Sequence, residues 1–381
     1  MAYKETMSLS VVRAAKRRRW AVVAVVTAAL LAVPALVAAL QPAGRAVDPA
    51  RLRDLVLHSD SQPYQGYARS TGALALPQLP DLADVSALFT TTTNTHVWYA
   101  GPDRYRVAVL TTAGEYDIYR LPGAEYTWDY GTNTLTRLTG DPVVRLPRAS
   151  DLLPPDLARW ILESAPRDPV TALPPRRVGG VAASGLRLVP ADPDTTVGQV
   201  DIWADPATGL PVRVEVTARG QHAPGLVAEF DQVELSAPVV TAPEPAPRSG
   251  FDTTSVPDIS KALGTPGRVR LPATLAGRPL RTTGFAGVEG AALYGSGLAT
   301  FAAVAVSPAL ADSAADAAGK AGATTETLAA GTGTFLSITP LSIAVVHPPG
   351  TRRAYLLAGL VGHDVLRAAA DQLSQARGGT R

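Results

Sequence analysis

Residues 199–217 form the segment that most constrains the fold of this chain. Val200 and Ile202 alternate with polar neighbours before a turn that contains Pro206 and Gly209, and beyond the turn valines again alternate with polar residues. Period-two alternation on both sides of a Pro/Gly turn predicts an antiparallel β-hairpin with one apolar and one wet face. A lone hairpin is marginal in water, so further strands must extend its apolar face.

The chain before the hairpin supplies closely spaced strands. Runs rich in Tyr, Val, Ile and Trp are separated by turn residues such as Gly101-Pro102 and Pro122-Gly123, a pattern that predicts a β-meander. The predicted strands cover residues 96–99, 105–110, 115–121, 126–130 and 134–138, and residues 185–189 and the hairpin continue the sheet.

A helix is predicted between the meander and the hairpin. Pro154-Pro155-Asp156 begins it and Pro166 ends it. A helix that crosses the apolar face of a sheet can enclose a cavity, and we predict an apolar ligand cavity in residues 48–237. Its predicted lining is Val107, Val109, Ile118, Trp128, Ile202, Val214 and Val216 from the strands, and Leu157, Trp160 and Ile161 from the helix. The alternative is an ordinary solid core filled by the same residues.

A second domain follows a proline-rich linker. Residues 238–261 are rich in Pro, Ala, Thr and Ser without apolar periodicity, which is typical of a semi-rigid linker. Residues 262–381 are predicted to form a smaller α+β domain. It should contain strands near residues 292–306, 334–346 and 354–361, a mobile Ala/Gly-rich connection over residues 308–333, and a closing helix over residues 364–375.

The N-terminus predicts the compartment. A basic cluster at residues 16–19 precedes residues 20–40, which carry no charged side chain. At about 1.5 Å per residue, such a helix spans roughly 30 Å, the thickness of the hydrocarbon core of a bilayer. The expected topology is a cytoplasmic tail over residues 1–19, a transmembrane helix over residues 20–40, and the remaining chain outside the cytoplasm. The alternative is a cleaved signal peptide and a secreted protein.

Catalytic, cofactor and metal-binding patterns were not found in the sequence. There is no G-x-S-x-G motif, and the five histidines are not spaced as metal ligands. The chain has no cysteine, and residues 41–381 carry a small net negative charge, so no basic surface attracts nucleic acid. We therefore predict a binding protein that is not an enzyme and needs neither cofactor nor metal.

Several segments, in order, resemble the RseB/MucB family of extracytoplasmic regulators of envelope-stress sigma factors, and the first domain resembles the LolA/LppX-type half-barrel. The resemblance covers roughly residues 50–376. It rests on Tyr64-Gln65-Gly66-Tyr67 after the first helix, the hairpin from Trp203 to Val216, Leu271-Pro272, Tyr294-Gly295-Ser296-Gly297-Leu298-Ala299, and the last strand and helix from Arg353 onward.

The resemblance implies an α+β fold, in which an antiparallel half β-barrel with covering helices precedes a smaller partner-binding domain. The implied partners are the outer segment of a membrane anti-sigma factor and the acyl chains of a lipid or lipoprotein, and Tyr294 and Leu298 are the partner-binding candidates. Two functions stay open. One is a membrane-anchored sensor that controls an envelope-stress sigma factor, which the second domain favours. The other is an extracytoplasmic lipid or lipoprotein carrier without a signalling role.

Overall fold

The computed structural model describes residues 47–74, 83–111, 114–140, 146–245, 248–255, 269–281, 290–351 and 353–375. Within these ranges, no helix is both long and apolar enough to cross a membrane. The predicted transmembrane segment, residues 20–40, lies outside the described residues.

The larger sheet has twelve strands among the described residues. Its spatial order is β12-β6-β5-β4-β3-β2-β1-β11-β10-β9-β8-β7, and all neighbours are antiparallel except β12 and β6. The strands are β1 (Tyr64–Gly72), β2 (Thr92–Gly101), β3 (Arg104–Thr111), β4 (Gly114–Leu121), β5 (Ala124–Asp129), β6 (Thr134–Thr139), β7 (Val170–Val178), β8 (Val181–Leu188), β9 (Val197–Ala204), β10 (Pro211–Ala218), β11 (Leu226–Glu234) and β12 (Gly250–Ser255).

The predicted hairpin is β9 and β10, with Ile202 opposite Val214. In its turn the Asp205 carboxylate accepts hydrogen bonds from the backbone N–H and the hydroxyl of Thr208, at 2.9 and 2.7 Å. Gly209 has φ +76°, and a Cβ placed on it would lie 2.3 Å from the carbonyl oxygen of Leu55. Gly209 is therefore required both by the turn conformation and by the close approach of the first helix.

Strand β11 joins the two halves of this sheet, since it pairs with β1 on one side and β10 on the other. Neither β11 nor β7 was among the predicted strands. Strand β7 contains Pro174 and Pro175 and lies at the edge of the sheet, where a residue without a backbone N–H is tolerated.

Helices cover one face of the larger sheet. They are α1 (Pro49–Leu57), α2 (Ala83–Thr90) and α3 (Pro154–Ser164), and a 3-10 turn over Ala149–Leu152 precedes α3. The core between helices and sheet contains Leu52 and Val56 of α1 and Leu162 of α3, packed with Ile202 and Val214 of the hairpin. Pro154 and Pro155 occupy the first turn of α3, where their missing N–H groups have no intrahelical partner.

The smaller sheet has six strands in the order β15-β16-β20-β19-β18-β17, preceded by a two-stranded ribbon. The elements are β13 (Thr274–Leu275), β14 (Arg278–Pro279), β15 (Ala291–Ser296), β16 (Ala299–Val306), α4 (Pro308–Lys320), β17 (Thr324–Thr327), β18 (Thr332–Ile338), β19 (Leu341–His347), β20 (Ala354–Gly359) and α5 (His363–Gln375). Helix α5 buries Leu366, Ala369 and Leu373 against this sheet.

Three expectations for the linker and the second domain are corrected. The segments near residues 292–306 and 334–346 are each two strands of a hairpin, and they turn near Gly297 and Pro340. The Ala-rich connection forms α4 and β17, because alanine has the highest helix propensity and the Ser307 hydroxyl caps the helix at Leu310 N. Part of the predicted linker is β12, which pairs with β6.

Contacts join the two sheets within one compact unit, residues 44–381. The loop between β8 and β9 reaches the smaller sheet. The Thr195 hydroxyl contacts the carbonyl oxygens of Leu298 and Leu360 at 3.1 and 2.9 Å, and Arg278 forms ion pairs with Asp192 and Asp194, each at 2.8 Å. Thr196 bonds in the same region to Pro340. We call these residues the junction.

Candidate functional site

A cavity of about 920 Å³ lies between the larger sheet and helix α3. This volume is near the upper end of the usual range for small-molecule sites. The lining is mainly apolar, with a few charged and phenolic side chains. Its residues are Asp60, Leu74, Val85, Phe89, Tyr99, Pro102, Tyr105, Val107, Pro147, Ser150, Asp151, Leu152, Leu153, Asp156, Leu157, Arg159, Trp160, Ile161, Val197, Val200, Val216, Gly225, Leu226, Leu298, Pro340, Leu341 and Leu360.

Of the ten residues predicted to line a cavity, five line this cavity. They are Val107, Val216, Leu157, Trp160 and Ile161. Helix α3 turns Leu157 and Ile161 inward on the same side, because residues four positions apart share a helix face. Trp160 is 55% exposed although it lines the cavity, so its indole stands at the rim, between cavity and solvent.

Four of the other predicted residues lie on the same side of the sheet but do not line the cavity. Ile202 and Val214 are fully buried in the cluster beneath α1 and α3. Val109 is partly buried and packs against a separate cluster that contains Leu88 and Leu152. Ile118 is paired with Val107 but is not a lining residue. Ile202 and Val214 therefore belong to an ordinary solid core, as the alternative prediction had it.

Trp128 lies on the opposite face of the sheet from the cavity, which corrects its assignment as a lining residue. It is paired with Asp117, whereas the cavity residue Val107 is paired with Ile118. Directly paired residues share a face and adjacent residues alternate, so Trp128 and Val107 point to opposite sides. Trp128 instead packs with Tyr119 and Leu135.

Tyr294 and Leu298 are interior residues, which corrects their assignment as a partner-binding surface. Tyr294 is fully buried, stacks on Phe301 and donates its hydroxyl to the carbonyl oxygen of Pro272 at 2.7 Å. Leu298 is 3% exposed and lines the cavity. A protein partner needs exposed side chains, and these two present none.

The smaller sheet contributes one wall of the cavity, which sequence reasoning missed. Leu298, Pro340, Leu341 and Leu360 come from turns or strand ends of that sheet. The junction holds this wall in place, because the Thr196 hydroxyl donates to the carbonyl oxygen of Pro340 and Thr195 contacts Leu298 and Leu360. The only signal in the sequence was the apolar character of Leu298 and Leu360 beside glycine turns.

Charged and phenolic groups gather where α3 meets β1 and β2. Arg159 pairs with Asp156 at 2.5 Å, and the Tyr99 hydroxyl donates to the carbonyl oxygen of Asp60 at 2.6 Å. Burial raises the pKa of Tyr99 to about 12. Burial, and next the Asp156 carboxylate, also raise the pKa of Tyr64, whose buried hydroxyl has no hydrogen-bond partner among the described residues.

The opposite face of the larger sheet has its own polar cluster. Arg106 stacks over Trp98 at 4.4 Å and pairs with Asp117 at 2.7 Å, and Asp117 also accepts a hydrogen bond from Tyr119 at 2.9 Å. The Asp117 carboxylate is inaccessible to solvent, and this burial raises its pKa to about 6 despite Arg106. Burial also lowers the pKa of His96, whose ring lies tilted against that of Trp98.

Among the residues that the structure describes, no group of three His, Asp or Glu could hold a metal ion. The cavity is lined mainly by apolar side chains, with a few charged and phenolic groups. This arrangement suits binding of an apolar or amphipathic molecule.

No family model and no curated protein sequence matches this chain. Solved structures do. The Pseudomonas aeruginosa MucA/MucB complex is similar with 17% identity over 84% of this chain and 96% of that chain, at a TM-score of 0.45. MucB in complex with MucA(peri) is similar with 15% identity over 84% and 96%, at a TM-score of 0.44. A LolA superfamily protein from Nitrosomonas europaea is similar with 15% identity over 50% and 94%, at a TM-score of 0.22. MucB and a LolA-type protein, representatives of the two groups that the sequence resembles, are thus both among these structures.

Proposed function

We propose that this chain is an extracytoplasmic regulator, anchored by residues 20–40, that senses a lipid or lipoprotein acyl chain and binds the outer segment of a membrane anti-sigma factor. In this way it controls an envelope-stress sigma factor. One observation carries the proposal: a large apolar cavity whose wall is built by both sheets.

The cavity suits an acyl chain energetically. Burial of each CH₂ gains about 0.8 kcal/mol, so a fatty chain gains on the order of 10 kcal/mol before the cost of association. Leu157, Ile161, Val200 and Val216 offer the apolar surface, and Trp160 stands where a chain would enter.

The wall from the smaller sheet supports a sensor. A molecule in the cavity contacts Leu298, Leu341 and Leu360. Thr195 bonds to Leu298 and Leu360, and Thr196 bonds to Pro340, the residue before Leu341. A ligand that favours one arrangement of the junction shifts its population, and a partner that binds the smaller-sheet part then responds. The coupling is reciprocal, so lipid weakens partner binding by the factor by which partner weakens lipid binding.

The test is purification of the full chain from native membranes, followed by mass spectrometry of bound proteins and lipids. We expect a membrane anti-sigma factor and an acyl lipid. Trp160→Asp should lose the lipid, because a carboxylate at the rim must be desolvated beside the chain. Phe251→Asp is the matched control, since Phe251 is 52% exposed and does not line the cavity. Wild-type protein that carries neither lipid nor anti-sigma factor would contradict the proposal.

A lipid or lipoprotein carrier is the second candidate, because most of the cavity lining comes from the larger sheet and its helices. A carrier delivers its ligand to an acceptor membrane, whereas a sensor changes its affinity for a partner. Reconstituted full-length chain in donor nanodiscs, mixed with acceptor vesicles, separates the two. Lipid transfer without any effect of lipid on anti-sigma binding favours the carrier.

A further inference from the structure

Exposed lining residues mark where the cavity opens to solvent. In the described part of the chain, four lining residues are exposed and the others are buried or half-buried. The four are Asp60, Pro102, Pro147 and Trp160. Three of them are apolar, and the largest, Trp160, is 55% exposed. The apolar lining of the cavity thus continues outward to an exposed indole.

Helix α3 presents this indole to the outside of the protein. Of the eleven residues of α3, Trp160 and Glu163 are exposed, whereas Arg159 and Ile161 on either side of Trp160 are buried. Residues three positions apart are neighbours on a helix surface, so the outer face of α3 combines an indole with a carboxylate. An indole is favoured at the level of lipid head groups, because it has an apolar body and a polar N–H, and a carboxylate stays hydrated at that level.

The length of the chain limits how far this opening can lie from a membrane. In the proposed topology the membrane segment ends at Leu40, and the seven steps along the chain to Val47 span at most about 25 Å. Helix α1 has nine residues, is about 14 Å long, and ends at Leu57, shortly before Asp60 at the opening. The connection is therefore long enough for the opening to reach the bilayer surface, and too short for it to move far away.

We propose that the opening of the cavity docks on the lipid surface, with Trp160 at the level of the head groups, and that the acyl chain enters directly from the bilayer. A chain that enters there passes from one apolar environment to another, so its CH₂ groups are not exposed to water on the way. This inference rests on the proposed function, whose anchor and ligand it uses. It adds the source of the ligand and the surface of the protein that receives it.

The test exploits the absence of cysteine, because any introduced cysteine can be labelled alone. The full chain in phosphatidylcholine nanodiscs carries one nitroxide, either at Glu163→Cys, beside an intact Trp160, or at Phe251→Cys. Phe251 is exposed on β12 and does not line the cavity. Collision of the nitroxide with oxygen, which concentrates in the bilayer, is compared with its collision with a water-soluble nickel chelate. We expect the oxygen-to-nickel collision ratio to be several-fold higher at residue 163 than at residue 251.

Trp160→Gln in the Glu163→Cys chain tests the role of the indole. Glutamine is a good helix former, so the substitution removes the apolar ring and leaves α3 intact. The collision ratio at residue 163 should then fall to that at residue 251. Tyr67→Gln is the matched control, because Tyr67 is a 46% exposed aromatic residue that does not line the cavity. It should leave the collision ratio at residue 163 unchanged.

Failure of the docking and failure of the cavity function give different results. Equal collision ratios at residues 163 and 251, or a high ratio at residue 163 that survives Trp160→Gln, overturn the docking even where lipid is recovered with the wild-type chain. A full chain that does not enter nanodiscs lacks the anchor, and the docking is then wrong as well. A high ratio at residue 163 that depends on Trp160, with no lipid recovered from the wild-type chain, supports the docking and contradicts the acyl-chain function of the cavity.

Discussion

Arg278 of the smaller-sheet part holds both carboxylate oxygens of Asp192, which lies in a loop of the larger sheet, at 2.8 and 3.2 Å. Arg278 is 12% exposed and also donates to the Ala299 carbonyl oxygen at 3.1 Å. Its hydrogen bonds are the main reason that the pKa of Asp192 lies below its usual range. A planar guanidinium clamped in this way fixes orientation as well as distance.

Arg278→Ala should therefore loosen the junction. We expect the free energy of unfolding to fall by about 1–3 kcal/mol, less than for a fully buried pair because Asp192 is 30% exposed. Denaturant titration at neutral pH measures the loss. Arg177→Ala, which removes an exposed arginine bonded to the nearby Gly180 carbonyl, should cost less than about 0.5 kcal/mol. Equal losses of unfolding free energy in the two variants would show that the pairing of Arg278 with Asp192 stabilises the fold no more than an exposed arginine does.

The same pair predicts acid sensitivity at the junction. Because the folded-state pKa of Asp192 is lowered, its contribution is present above the unfolded pKa near 4 and is lost as the pH falls through the folded pKa. Wild type should thus lose more stability below pH ~4 than Arg278→Ala does. Parallel pH profiles of the two proteins would contradict this.

The turn of the hairpin gives a second prediction. Gly209→Ala combines a positive φ with a Cβ 2.3 Å from the Leu55 carbonyl oxygen, and we expect a loss of about 2–4 kcal/mol. Gly220→Ala is the matched control, because Gly220 has φ +77° but no atom within 4 Å of the added Cβ. It should cost only about 1 kcal/mol. Thermal unfolding of both variants separates steric conflict from backbone strain.

The hairpin shows what local pattern can predict. Alternation in β9 and β10 and the Asp205–Gly209 turn are local, so the two strands and the turn between them followed from the sequence. Alternation defines two faces of a strand but does not say which one is inside, and for that reason Trp128 was assigned to the wrong face. Leu360 lines the cavity only because two distant sheets meet, which no local pattern encodes.

Helix α4 illustrates a different limit. Residues 308–333 lack a strong apolar stripe, because alanine buries little surface, and so periodicity did not reveal the helix. The Ser307 cap followed by Pro308 was the available signal. A helix with weak amphipathicity is better recognised by its caps and propensity than by its pattern.

Asp117 predicts an unusual pH dependence. Its folded-state pKa of about 6 lies above the usual value of an aspartate, which is near 4, so the native state binds this proton more tightly than the unfolded chain. Its contribution to stability is therefore fully present below pH ~4 and declines as the pH rises through about 6, by at most about 3 kcal/mol. Asp117→Asn should flatten the stability profile between pH ~4 and pH ~7 relative to wild type.

Denaturant titrations at several pH values measure this effect. Asp252→Asn, on an exposed strand, serves as control and should leave the profile unchanged. A wild-type profile whose slope in this range equals that of Asp117→Asn would mean that Arg106 outweighs burial and keeps Asp117 ionised.

The wall from the smaller sheet gives the last prediction. Leu341 is half-buried and lines the cavity from the first residue of β19. Leu341→Trp places a larger apolar side chain next to existing free volume, so it should fill part of the cavity at little cost to the fold. Lipid recovered with the purified full chain should fall several-fold, while the thermal midpoint stays within a few degrees of wild type. Leu110→Trp, on an exposed part of β3 outside the cavity, adds the same bulk and should leave lipid recovery unchanged. If Leu341→Trp retains a full lipid load, the ligand does not reach the smaller sheet, and the cavity then has no direct route to the junction.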